Sequence, residues 1–109
     1  MGRRMTENTP RAPRDCATMQ ELRAEIDRID AALVRLLARR VACIDRATEI
    51  KREAGLPARI APRVEEVVAR ARTAAAAEGI EPAAVEALWR AMVEWSIARE
   101  ARALGEAEG

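Results

Sequence analysis

The sequence predicts an all-α protein with three helices per chain and a long first helix, assembled as an intertwined six-helix homodimer. Three observations carry this. Apolar residues recur at intervals of three and four through most of the chain, and β-branched residues follow that spacing instead of alternating. The pattern stops at two glycine-centred breaks, Gly55-Leu56-Pro57 and Gly79-Ile80, which separate three helical segments. The first segment runs without interruption for longer than one small domain can cover.

That first helix begins at Thr18-Met19-Gln20-Glu21, a capping box in which the threonine hydroxyl serves one free amide and Glu21 reaches back to another. Leu22, Ile26, Ile29, Leu33, Leu36, Leu37, Ile44 and Ala47 then mark its apolar stripe. Thr18 to Ala54 as one helix is on the order of 55 Å long, against a radius of gyration of about 13 Å for a compact domain of this size. A second chain is needed to cover it. No heptads are sustained beyond this helix and two shorter helices remain to fold back, so an intertwined homodimer is expected over a parallel coiled coil.

Pro62 presets the first turn of the second helix, whose stripe is Val64, Val67, Val68 and Ala71. Glu81-Pro82 opens the third, which carries Val85, Leu88, Trp89, Met92, Val93 and Ser96 toward Leu104. The expected organisation is a helical domain over residues 15–105 with disordered ends at 1–14 and 106–109. The leading "MGRRMTENTPRAPRD" has no apolar run behind its arginines, so it does not read as a secretory signal. Gly2 to Thr6 fits a loose acylation pattern, and Met5 is a second candidate start; a polar lead-in is the plainer reading.

At 109 residues, half of them apolar and about a third charged, the chain is one domain. Nineteen Lys and Arg against eighteen Asp and Glu give no support to a nucleic-acid or membrane partner, so any cationic function must be local. Cys16 and Cys43 are too few for a disulfide framework or a zinc site, and the chain has no histidine. Metal and histidine acid/base chemistries are therefore not expected, and a cytoplasmic location is.

Two cations break the stripe of the first helix. With Leu22 at 0° and about 100° per residue, Leu33 falls near 20°, Arg40 near 0° and Lys51 near 20°. An unpaired buried cation costs several kcal/mol, so something negative must meet them. Either they are structural, snorkelling or pairing with Asp30, Asp45 or a carboxylate across the dimer, or they line a pocket for a small anion between helices. Arg23 lies about 25 Å before Arg40 along the helix and roughly 100° round it, so one small ligand reaches both only if two long helices pack antiparallel. On the third helix, Ser96 and Glu100 prolong the apolar row, with Arg99 near its edge; Glu100 is either solvated or turned toward the cations.

"ELRAEIDRID", "LLARR" and "IK", with Arg23, Arg40 and Lys51 spaced by seventeen and eleven residues, resemble the all-helical class of chorismate mutases and the related isochorismate-pyruvate lyases. "PARIAPRV" and "EWSIARE" extend the resemblance from about Asp15 to Leu104. It implies a dimer of three-helix chains with two active sites shared between chains, and the rearrangement of chorismate to prephenate. That reaction is pericyclic and needs no nucleophile, metal or cofactor. The protein holds a flexible dicarboxylate in a reactive chair and stabilises charge on the breaking ether bond.

By the same resemblance, Arg40, and Arg23 from the second chain, bind substrate carboxylates, a task that suits the guanidinium fork. Lys51 donates to a carboxylate and to the ether oxygen, Arg63 helps order the pocket, Ser96 lies near the substrate ring, and Glu100 gives the ether oxygen a second hydrogen bond. Many members have glutamine at this last position. An ionised glutamate cannot donate, so this role requires Glu100 to be protonated in the working enzyme. The mutases also place carboxylates for the ring hydroxyl where this chain has Ile60 and Val64, and the lyases tend to lack them too. The other readings are an isochorismate-pyruvate lyase releasing salicylate and pyruvate, a mutase of an amino-substituted chorismate, and a non-catalytic helical dimerisation module.

Overall fold

Thr18 begins the first helix as its chemistry dictates. Its Oγ accepts from the N–H of Glu21 at 3.1 Å, and Glu21 Oε1 accepts from the N–H of Ala17 at 2.7 Å, one residue earlier than the simplest capping box places it. The computed structural model describes residues 11–106; residues 1–10 and 107–109, and with them the Gly2 to Thr6 pattern, Met5 and most of the expected tail, lie outside the described residues. A short 3-10 turn at Pro13–Asp15 precedes three helices, α1 (Met19–Ala54), α2 (Ala61–Ala77) and α3 (Pro82–Leu104). There is no strand among the described residues, and no helix there is long and apolar enough to cross a membrane.

Each helix ends by the same local device. At α1, Gly55 takes φ 71°, a left-handed conformation open to glycine at little cost, which lets the N–H of Leu56 close onto the carbonyl of Lys51 at 2.9 Å. The N–H of Ile80 bonds to Ala75 and that of Glu106 to Ala101 in the same way, at 2.9 and 2.8 Å. The breaks read from Gly55 and Gly79 are therefore helix stops with satisfied carbonyls.

The chain divides after Arg40 into two compact units. In the first, the N–H of Arg11 donates to Glu25 Oε1 at 2.9 Å, and Arg28 pairs with the other carboxylate oxygen. The Arg11 amide, followed by Arg28, holds the Glu25 carboxyl below the usual carboxylate range. The apolar stripe here is uncovered: Ile26, Ile29, Leu33, Leu36 and Leu37 are 44–56% exposed.

In the second unit α2 packs on α3, and Val68, Ala71, Ala75, Val93 and Ala101 are buried. Surface ion pairs give the direction of the two helices. Arg59 grips Glu94 through two bonds of 2.9 and 2.6 Å, Arg90 reaches Glu65 at 3.0 Å, and Arg72 reaches Glu86 at 2.7 Å. The partners descend α3 as they ascend through α2, so the helices run antiparallel. The Arg90 guanidinium holds the carboxyls of Glu65 and Glu86 below the usual range, with Arg72 adding to the effect on Glu86, and Arg59 does the same to Glu94.

Candidate functional site

Lys51 lies in the last turn of α1, where a cation also suits the negative end of the helix dipole. The Gly55 stop turns the chain back, so that the carbonyl of Ala58 accepts from Lys51 Nζ at 2.7 Å. The second partner of the ammonium comes from the far end of the sequence. Glu100 Oε1, on α3, accepts from Lys51 Nζ at 2.6 Å. Both side chains are withdrawn from water, with 16% of Lys51 and 5% of Glu100 exposed. Two of the three N–H donors of the ammonium are thus used within the chain.

Glu100 is therefore the carboxylate that meets the Lys51 cation. Asp45, which sequence spacing offers as a partner for the cations, is engaged elsewhere. Arg99 donates to it through two bonds of 2.7 and 3.0 Å, in fork-to-carboxylate geometry, and its guanidinium carbon lies 5.8 Å from the Trp95 ring centre. The Arg99 contact holds the Asp45 carboxyl below the usual range. Asp45 and Arg99 clamp α1 to α3 beside the Lys51 and Glu100 pair, with Arg52 adding a bond to the carbonyl of Ala103 at 2.8 Å.

The remaining candidates have these places. Ser96 is buried one turn before Glu100, and its hydroxyl donates to the carbonyl of Met92 at 3.0 Å. Ile60, half-buried, caps the start of α2, and Val64, also half-buried, lies in the turn that follows. Arg63 is exposed and pairs with Glu66 at 2.7 Å, on its own helix. In the first unit, Arg40 is half-buried, while Arg23 is exposed and has no hydrogen-bond or ion-pair partner among the described residues. Within the second unit, then, Lys51 and Glu100 touch. Sequence spacing missed the Ala58 carbonyl, because a backbone acceptor leaves no mark on residue identity. It also misses the Asp45–Arg99 clamp, although each residue stands out separately in the sequence.

Known proteins match this sequence. A sequence profile of the chorismate mutase type II family matches residues 22–101, which include Lys51 and Glu100. The isochorismate pyruvate lyase of Pseudomonas aeruginosa is 36% identical over 93 residues, covering 83% of this chain and 88% of that protein. The T-protein of Enterobacter agglomerans is 33% identical over 84 residues, 77% of this chain but only 22% of that protein's length. No solved structure matches the chain.

Proposed function

Since the chain belongs to the chorismate mutase type II family, a family of enzymes acting on chorismate-type small molecules, we propose that it is a chorismate mutase converting chorismate to prephenate. The observation that carries this reading is the contact of 2.6 Å between Lys51 and Glu100, since these are the two groups assigned to the ether oxygen. In the rearrangement the ether C–O bond breaks as a C–C bond forms, and negative charge gathers on the departing oxygen. A fixed ammonium at that oxygen stabilises the transition state more than the ground state, which is what accelerates the step. Glu100 contributes a second hydrogen bond when it carries a proton. Arg40 and Arg63 act on the substrate carboxylates and on the order of the pocket, and Ser96 lies at the ring.

The reading includes a homodimer. Five large apolar side chains of α1 are about half exposed in the single chain, and covering them contributes about 1 kcal/mol each, on the order of 5 kcal/mol per chain. A second copy supplies the matching stripe, and its Arg23, without a partner among the described residues of the single chain, completes the anion site. The active protein is expected in the cytoplasm, with no cofactor and no resident metal.

A second reading is isochorismate-pyruvate lyase, favoured by Ile60 and Val64, which present no carboxylate to a ring hydroxyl, and by the 36% identity to a protein of that name. Purified protein mixed separately with chorismate and isochorismate separates the two. Prephenate from chorismate is the expected product. Salicylate with pyruvate from isochorismate alone transfers the assignment to the lyase, and turnover of neither leaves a non-catalytic dimerisation module.

A further inference from the structure

Glu106 follows α3 directly, beyond Gly105, and its carboxylate Oε2 accepts from the N–H of Ala58 at 2.9 Å. Ala58 is 3% exposed, in the connection between α1 and α2. Its two backbone polar groups are thus held from two separate helices' ends: the N–H by Glu106, just past α3, and the carbonyl by the Lys51 ammonium, in the last turn of α1, at 2.7 Å. A buried amide left without an acceptor is strongly unfavourable, so the connection keeps this path only with Glu106 or a substitute for it. A carboxylate at a helix C-terminus meets an unfavourable dipole, which makes the placement of Glu106 uneconomical unless it serves a contact. The end of α3 is itself fixed to α1, because Arg52, next to Lys51, donates to the carbonyl of Ala103 at 2.8 Å.

We propose that Glu106 is a positioning residue for Lys51, acting through the peptide of Ala58, and that the end of α3 sets the place of the ammonium at the reacting oxygen. This rests on the proposed role of Lys51. Glu106 fixes the Ala58 N–H, that peptide aims its carbonyl at Lys51 Nζ, and the carbonyl and Glu100 together hold the ammonium from two directions. Without Glu106 the peptide rotates toward water and the ammonium keeps one anchor instead of two. Displacement of a catalytic group by a fraction of an ångström lowers turnover without abolishing binding.

The test uses the full-length protein with Glu106→Ala and Glu106→Gln, since the glutamine carbonyl still accepts from Ala58. Two readouts are taken: the NMR signal of the Lys51 ammonium, and kcat and KM with chorismate and isochorismate. Glu106→Ala is expected to broaden or shift the Lys51 signal and to lower kcat about tenfold with KM changed less than twofold, while Glu106→Gln restores both. An unchanged Lys51 signal in Glu106→Ala, or a Glu106→Gln variant as impaired as Glu106→Ala, overturns the proposal. Should the unsubstituted protein turn over neither substrate, the functional reading fails, and the Lys51 signal alone still decides whether Glu106 positions it.

Discussion

Replacing Lys51 by methionine keeps most of the side-chain volume and removes the charge. Glu100, 5% exposed, then keeps its carboxylate in the interior without its cation, and the carbonyl of Ala58 loses its donor. Stranding one member of a buried ion pair costs about 3–5 kcal/mol. Lys51 retains 16% exposure, which places the expected loss near the lower end, about 3 kcal/mol. For a domain of this size that is a fall in Tm of about 12 °C or more. The double variant Lys51→Met with Glu100→Met removes both charges and should recover about 2 kcal/mol, the rest being the unpaired Ala58 carbonyl. Thermal unfolding followed by circular dichroism at one fixed protein concentration measures all three species, because the stability of the proposed dimer depends on concentration. Both Lys51 variants should lose nearly all turnover. A double variant as unstable as Lys51→Met would mean that the two charges are not coupled. Wild-type turnover in either variant would refute the catalytic role of Lys51.

The amide of Glu100→Gln always has an N–H to donate, so the variant should keep turnover at least equal to that of the unsubstituted protein; a variant without turnover would contradict the donor role of residue 100. Leu33 is 54% exposed in the single chain, so Leu33→Lys should leave helix content intact but shift the protein from dimer to monomer in sedimentation equilibrium. The carboxyls of Glu65, Glu86, Glu94 and Asp45 are depressed in the folded state by their arginine partners, so their stabilisation is present above the ordinary carboxylate range and is lost as pH falls through the folded values. Tm should therefore decline below about pH 4, and less steeply in a variant that lacks Arg90.

The helices were legible because their ends are written in local chemistry. Thr18 with Glu21 and the positive-φ glycines at 55 and 79 each act within a few residues, where sequence order and spatial order coincide. Polar residues on apolar faces were also legible as anomalies, which is how Lys51 and Glu100 drew notice. Their pairing was not, because it joins residues 49 apart and depends on how α3 packs beside α1. The same applies to Asp45 and Arg99, 54 apart. Arg63 shows the opposite case: Glu66 lies one turn further on, a spacing visible in the sequence, and it takes the guanidinium on the helix surface. The stripe of α1 is legible as apolar, but what covers it is not: Ile26, Ile29, Leu33, Leu36 and Leu37 stay about half exposed among the described residues of the single chain.

The identity of residue 100 sets a balance between the resting site and the occupied one. With a glutamate there, the Lys51 cation has an internal counterion, and the interior carries no net charge from the pair. A buried cation without such a partner costs several kcal/mol, so Glu100 stabilises the chain before any substrate arrives. On the proposed function, an anionic substrate must then compete with Glu100 for the ammonium. A neutral amide at the same place would leave the ammonium less satisfied at rest and more attractive to a dicarboxylate. It follows that Glu100→Gln should lower both Tm and KM, two changes of opposite benefit from one substitution. If Tm falls while KM rises or stays level, the carboxylate does not compete with the substrate, and the short contact with Lys51 is only a structural pin.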